Sequence, residues 1–146
     1  MSRRFRSLED AESLRSFVVN LREAIYITNA RGDILDGNPA FFNLLGVRSI
    51  ADMNNYGANE LVVNPARRLT EIELVEREGF ARDFELQLVR PDGVLITVLD
   101  TVYAVHDTES DETLYHGMLV DITARKRMEE ELRQQSMRDP LTGCFN

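Results

Sequence analysis

The chain has 146 residues, a formal net charge of −8, 43% hydrophobic and 29% charged residues, which is room for one domain with helical extensions and an ordinary soluble composition. Its acidity argues against nucleic acid as a bulk partner, and no apolar run reaches the roughly 18–20 residues of a membrane span. A single cysteine, Cys144, leaves no disulfide framework and no Cys-based zinc site within one chain, and no apolar segment follows MSRRFR as in a signal peptide, so a cytoplasmic location is expected.

Arg3, Arg4 and Arg6 read as a solvated terminus. Ser7 to Leu21 reads as an amphipathic helix, with Ser7 and Asp10 spaced as a capping box. Leu14, Phe17, Val18 and Leu21 form one apolar stripe, which must cover either the domain's own sheet or the same helix of a second subunit. Ala24 to Thr28 is a short strand, Asn29 to Gly32 a turn, and Asp33 to Gly37 a second strand. Asn38-Pro39 then opens a helix, with Asn as N-cap and Pro in the first turn, and Gly46 ends it. Phe41, Phe42, Leu44 and Leu45 load this short helix with apolar mass.

Residues 47–63 are irregular, with helical turns around Ser49 to Met53 and Asn59 to Val62. Asn64-Pro65 starts a second capped helix that stops at Gly79; Leu69, Ile72 and Val75 are expected on its inner face, and Arg67, Arg68, Glu71, Glu73 and Glu78 on its surface. Three strands follow. Phe84, Leu86 and Leu88 alternate with Glu85, Gln87 and Val89; the turn Arg90-Pro91-Asp92-Gly93 leads to a long strand from Val94 to Val105; the acidic loop HDTESDE, read as solvated, leads to Tyr115 to Ile122. Thr123 is placed to cap a charged helix that Asp139-Pro140 stops. The order is helix, β-β, three short helices, β-β-β, helix, which is an α+β domain with an antiparallel sheet.

This order, with GDILDGNPAF early, RPDG between two late strands and DIT at the end, resembles a PAS domain over about residues 10–123. The tail DITARKRMEEELRQQSMRDPLTGCFN resembles the linker that joins PAS domains to GGDEF domains, including the D-P-L-T-G entry. The resemblance divides the chain into a cap helix at 1–22, a PAS domain at 23–122, a signalling linker helix at 123–138 and the start of a GGDEF domain at 139–146. It implies a five-stranded antiparallel sheet of order 2-1-5-4-3, with ligands held between one face and the middle helices. The outer face would carry the N-terminal helix or a second subunit. GGDEF domains are typically diguanylate cyclases, but no GGDEF sequence occurs in these residues, so this stretch is not expected to be an enzyme.

Strand alternation, phased as in the family, turns Phe84, Leu86, Leu88, Ile96, Val98, Asp100, Val102, Tyr115, Gly117 and Leu119 inward. The expected ligand pocket comprises Tyr26, Thr28, Phe42, Leu45, Leu69, Ile72, Leu86, Leu88, Val98, Asp100, Tyr115 and Leu119. Asp100 stands out as a carboxylate among apolar positions, and burying it unpaired is costly. It either anchors a polar ligand group with Tyr115, Thr28 or Tyr26, or bonds internally to Thr, Tyr or backbone, or lies at the surface through a shifted phase. The resemblance implies haem through a His on the middle helix, which has none, and flavin photochemistry through a Cys in the helical middle, which also has none. The cofactor is therefore open, with haem and flavin disfavoured; His106 and His116 are expected at solvent or an interface.

In the family, the Asp of DIT ties the last strand to the outgoing helix, which marks Asp121, Ile122 and Thr123 as a switch, with Arg90 as the expected partner of Asp121. Met128 and Leu132 begin a seam too short for an independent coiled coil. The expectation is a homodimeric sensory module that binds a small ligand or partner and regulates a GGDEF cyclase on the same chain, without nucleic acid or membrane in this stretch. The alternative is a constitutive dimerisation scaffold with no ligand.

Overall fold

The structure is a computed structural model that describes residues 8–53 and 56–138. Ser7 and residues 139–146, which include the expected GGDEF entry and Cys144, lie outside the described residues.

Helix α1 spans Ala11–Asn20. Its cap is Asp10, whose side chain accepts from the Ser13 N–H at 2.9 Å, so the helix starts later than the sequence suggests. Strands β1 (Ala24–Asn29) and β2 (Ile34–Gly37) form a hairpin. Helix α2 (Pro39–Leu45), a 3-10 turn (Ile50–Met53), helix α3 (Ala58–Leu61) and helix α4 (Pro65–Glu78) follow. Strands β3 (Phe80–Val89), β4 (Leu95–Asp107) and β5 (Glu112–Asp121) complete the sheet, and helix α5 (Thr123–Arg138) leaves it. The sheet is antiparallel, in the order β2-β1-β5-β4-β3.

The middle helices begin and end where their sequence signals stand. Asn38 and Asn64 cap α2 and α4 ahead of a proline, and Gly46 (φ 75°) and Gly79 (φ 92°) close them in the left-handed conformation that glycine adopts without steric cost. Alternation along β3, β4 and β5 puts Leu86, Leu88, Ile96, Val98, Val102, Tyr115 and Leu119 in the core beneath these helices. The opposite face leaves Leu95, Tyr103, Met118 and Val120 exposed.

One packing result differs from the sequence reading. On α4, Leu69 is 63% exposed, whereas Arg68 and Glu71 are buried with Val75. A helix turns about 100° per residue, so Arg68 lies about 20° from Val75 on the helical wheel and Leu69 about 120° from it. Steps of three drift off the buried face; seven do not. None of the residues of α1 is buried: Leu14, Phe17 and Val18 are exposed, so of the two covers the sequence allows for their stripe, this chain's own sheet is not the one.

Asn38 has a wider role than capping. Its Oδ1 accepts from the Phe41 N–H at 3.0 Å and the Ile25 N–H at 2.9 Å, and its Nδ2 donates to the carbonyls of Val18 at 3.1 Å and Glu23 at 2.9 Å. One buried amide thus joins α1, the chain entering β1, and α2. Asn38→Ala strands donors and acceptors at several of these points and should cost about 2 kcal/mol or more in urea denaturation. A loss below about 0.5 kcal/mol, the range of a surface change, would show that this junction is held by other contacts.

Candidate functional site

Beneath α4, four polar side chains meet on the inner face of the sheet. Asp100 projects from the middle of β4 and is 1% exposed. The Tyr26 hydroxyl donates to its two oxygens at 2.9 and 2.8 Å. Arg68 Nη1 donates to Glu71 Oε1 at 2.8 Å and to Asp100 Oδ2 at 3.3 Å, with Tyr26 Oη at 3.5 Å. Glu71 is 0% exposed, and its second oxygen, Oε2, faces no donor among the described residues.

Local sequence explains the placement. Gly117 on β5 is paired with Tyr26 on β1, and a Cβ there would lie 2.3–2.4 Å from the phenol. Only glycine leaves room for the ring, which also stacks on Phe41 of α2 at 5.5 Å. The Arg68 and Glu71 side chains lie one turn apart on the same helix face, so the helix delivers both to Asp100 together.

Burial, the Glu71 carboxylate and a hydrogen bond between the two carboxyls hold the Asp100 carboxyl well above the usual carboxylate range, against the pull of Arg68. Burial and the charge of Asp100 likewise keep the Tyr26 phenol protonated. For Arg68, burial works against the charge, but Tyr26, Glu71 and Asp100 outweigh it and hold the guanidinium above its ordinary value. Asp100 is thus the carboxyl of the cluster that keeps its proton to higher pH, beside the Arg68 guanidinium.

Tyr26, Arg68 and Asp100 of the cluster border a cavity of about 40 Å³. Of the residues expected in the pocket, Tyr26, Thr28, Leu45, Leu86, Leu88, Asp100 and Leu119 line it. Ile34, Phe41, Ala58, Leu61, Val62 and Arg68 complete the wall and were not foreseen. Leu69, Ile72 and Tyr115 instead line a separate surface cleft of about 430 Å³, between the β1–β2 turn and α4, which also touches Arg68. Val98 is buried in the core, and Phe42 packs edge-on to Phe41 at 5.7 Å.

Sites for drug-sized ligands run to about 300–1,000 Å³, so neither haem nor a flavin fits the internal cavity. His106 sits beside Asp111 at 3.1 Å in the β4–β5 hairpin, and His116 packs against Tyr103 on the outer face. Among the described residues no cluster of His, Cys, Asp or Glu is placed to hold a metal ion.

At the exit from the sheet, the Ile122 N–H donates to the Thr97 carbonyl at 2.8 Å, and the Thr97 N–H donates to the Thr123 hydroxyl at 2.9 Å. Asp121 Oδ1 accepts from the Thr123 N–H at 2.9 Å and the Thr123 hydroxyl at 2.6 Å. The Ile122 carbonyl, accepting from the Lys126 N–H, opens α5, so Thr123 is the first helical residue and not its cap. Arg90 is not a partner of Asp121: it pairs with Asp92 inside its own turn at 3.2 Å. The real partner of the DIT segment is Thr97 on β4. A further tie joins Lys126 of α5 to Glu85 of β3 at 3.4 Å, and Arg67 of α4 donates to the Glu85 carbonyl at 2.7 Å and lies over the Phe84 ring.

A family model described as a PAS domain matches residues 22–124, well over half of the chain. The chain belongs to the PAS domain family. Its fold is therefore that of a sensory signal-transduction domain and is non-catalytic. A PAS domain from Colwellia psychrerythraea is similar with a TM-score of 0.66 and 22% identity, over 77% of this chain and 97% of that one. A PAS domain from a two-component sensor histidine kinase gives 0.65 and 14% identity, over 75% and 94%. A sensory box histidine kinase/response regulator from Burkholderia thailandensis E264 gives 0.63 and 17% identity, over 85% and 95%. At these identities the likeness is one of fold. No curated protein matches the chain. No helix among the described residues of this PAS domain is long and apolar enough to cross a membrane.

The proton on Asp100 carries a pH signature. Unfolded Asp100 ionises near the ordinary Asp pKa of about 3.9, while the folded chain keeps the proton to a higher pH. The folded state then binds more protons than the unfolded one, so this group's contribution to stability falls as pH rises above about 4. Asp100→Asn keeps the shape and supplies an N–H toward Glu71 without a titrating proton. The stability of the wild type minus that of the variant should fall by up to about 1.4 kcal/mol per pH unit above pH 4, until the folded pair ionises, in urea denaturation across pH. A difference that does not change with pH would mean that Asp100 is already ionised in the fold.

Proposed function

We propose that this PAS domain is a homodimeric sensory module that binds a small ligand in the cavity bordered by Arg68 and Asp100, and that it regulates a diguanylate cyclase domain following it on the same chain. The observation that carries the reading is the double attachment of β4. Its middle holds Asp100 at the cavity, and three residues earlier Thr97 holds Ile122 and Thr123 at the root of α5. A ligand that shifts β4 at Asp100 acts on the same strand that fixes the helix start.

Dimerisation rests on two uncovered apolar surfaces. One is the α1 stripe of Leu14, Phe17, Val18 and the half-buried Leu21; the other is the outer sheet face at Leu95, Tyr103, Met118 and Val120. A second copy of the chain supplies a cover for both, and it would bring two α5 helices side by side. Met128 and Leu132, exposed on α5, would then form a short seam. The cyclase assignment rests on the DPLTG segment after α5 and on the chemistry of joining two GTP molecules held by two domains.

Two measurements test this reading. Cyclic di-GMP formation by the full-length chain should change several-fold in Asp121→Ala, with the fold of residues 1–146 unaltered by circular dichroism; unchanged output and unchanged ligand response would sink the switch. In sedimentation velocity the 146-residue chain should run as a dimer and Phe17→Glu should shift it toward monomer. A monomeric wild type would remove the dimer from the proposal, and a dimer whose output never responds to any ligand would favour the constitutive scaffold.

A further inference from the structure

We propose that the surface cleft between the β1–β2 turn and α4 is a second binding site, for a small organic anion that joins a carboxylate to an apolar body, and that Arg68 and Tyr115 hold the carboxylate. The site goes beyond the sensory reading, and Arg68 is the one residue it shares with the wall of the internal cavity.

The anchor is the unused edge of a buried guanidinium. Arg68 is 7% exposed, and its Nη1 is taken up by Glu71 and Asp100. Its Nε and Nη2 have no hydrogen bond among the described residues, yet they are not enclosed: the enclosed atoms without a partner are Thr28 Oγ1 and Glu71 Oε2. The internal cavity presents no polar atom, whereas the cleft does, so this edge is reached from the cleft. The N–H groups of Nε and Nη2 point the same way from one planar edge and match the two oxygens of a carboxylate. Tyr115 is the second donor. It is 4% exposed, lines the same cleft, and its hydroxyl has no hydrogen bond among the described residues. Burial and the charge of Glu76 raise its phenol above the ordinary value, against the pull of Arg68, so it remains a donor at neutral pH.

The surroundings favour an anion with an apolar body. The chain has a net charge of −8, yet among the described residues no Asp or Glu lines the cleft. The first turn of α4, at Pro65 and Ala66, adds the positive end of the helix dipole. Arg31 is a further cation on the rim, but it is exposed and pairs with Asp33 at 3.3 Å, so its help is weak. Leu69, otherwise 63% exposed, and the half-buried Ile72 supply the apolar wall. The facing wall is built in advance: Asn29 Oδ1 accepts from the Arg31 and Asp33 N–H groups at 3.0 Å each, and the Ala58 N–H donates to the Gly32 carbonyl at 2.7 Å. A cleft of about 430 Å³ falls within the roughly 300–1,000 Å³ of small-molecule sites. A phosphate dianion suits it less, because it brings two charges to a guanidinium already shared with two buried carboxyls.

Amide NMR titration of the 146-residue chain tests this with phenylacetate, phenylacetamide and inorganic phosphate as probes. Phenylacetate should give saturable shifts at Gly32, Asn59, Ala66 and Leu69 and leave Leu45 and Leu86 of the internal cavity unmoved. Phenylacetamide, of the same shape without the charge, should bind about tenfold more weakly, and so should phosphate, which has no apolar body. Tyr115→Phe deletes only a hydroxyl without a partner and should weaken phenylacetate about fivefold. Leu69→Glu keeps a good helix former at an exposed position, puts a carboxylate into the cleft and should weaken phenylacetate about tenfold, which keeps the test open should the Tyr115 variant fail to fold. Equal affinity for phenylacetate and phenylacetamide overturns the carboxylate, and phosphate binding as tight as phenylacetate overturns the apolar body. Unchanged affinity in Tyr115→Phe overturns the role of Tyr115. No saturable binding of phenylacetate, or shifts confined to Leu45 and Leu86, overturns the whole inference. Cyclic di-GMP output of the full-length chain decides the sensory reading separately, so the two fail independently.

Discussion

The fold is arranged around a buried carboxyl that cannot be left without partners. Strand β4 runs between β5 and β3 with Ile96, Val98, Asp100 and Val102 buried on its inner face, and Asp100 is the charged one among them. An isolated carboxylate there would cost several kcal/mol, so the helix packed above must supply a counter-charge or the strand must lose its position. Arg68 supplies it, and Glu71 comes with it on the same helix face. Arg68 and Glu71 turn inward on α4, while Leu69 is exposed and lines the cleft outside it. Removing either charge from such a group is typically worth 3–5 kcal/mol, more than most apolar contacts of a short helix can offset.

Much of the fold was legible because its signals are local. Asn-Pro starts and Gly stops bound α2 and α4, Arg90-Pro91-Asp92-Gly93 marks a tight turn, and period-two alternation fixes which side of β3, β4 and β5 is inner. The site was half legible for the same reason. Strand residues such as Tyr26, Thr28, Leu86, Leu88, Asp100 and Leu119 line the cavity because a strand offers only two phases. The helix offered many. Leu69, Ile72 and Val75 look like an apolar stripe, but hydrophobicity was the wrong guide where the sheet below presents a carboxyl. The available signal was the pair itself: Asp100 demanded a buried partner, and Arg68 with Glu71 stands in register with Val75 one and two turns back. Arg90 failed as the partner of Asp121 because a nearer carboxylate, Asp92, lies two residues away in its own turn.

The buried cluster and the apolar cavity beside it are compatible because the polar atoms bond to one another: the Tyr26 hydroxyl donates to Asp100, and Arg68 Nη1 donates to Glu71 and Asp100, so the surface presented to the cavity is apolar. Thr28 Oγ1 and Glu71 Oε2 are the exceptions, buried without a hydrogen-bond partner among the described residues.

Helix α5 shows why the attachment of β4 matters for any signal. Residues 127–136 are all exposed, and an isolated helix of this length is marginal in water. Its geometry is therefore set in its first turn: Ile122 buried in the domain, Thr123 bonded to Thr97, and Lys126 paired with Glu85. The Lys126 pair is half-exposed and worth little by itself, so Ile122 and the Thr97–Thr123 bonds do most of the fixing. Arg67 extends the contact back to α4, since it holds the Glu85 carbonyl while its neighbour Arg68 holds Asp100. Helix α4 and strand β4, which together hold the cluster, thus reach the root of α5 by two routes, one through Glu85 and one through Thr97.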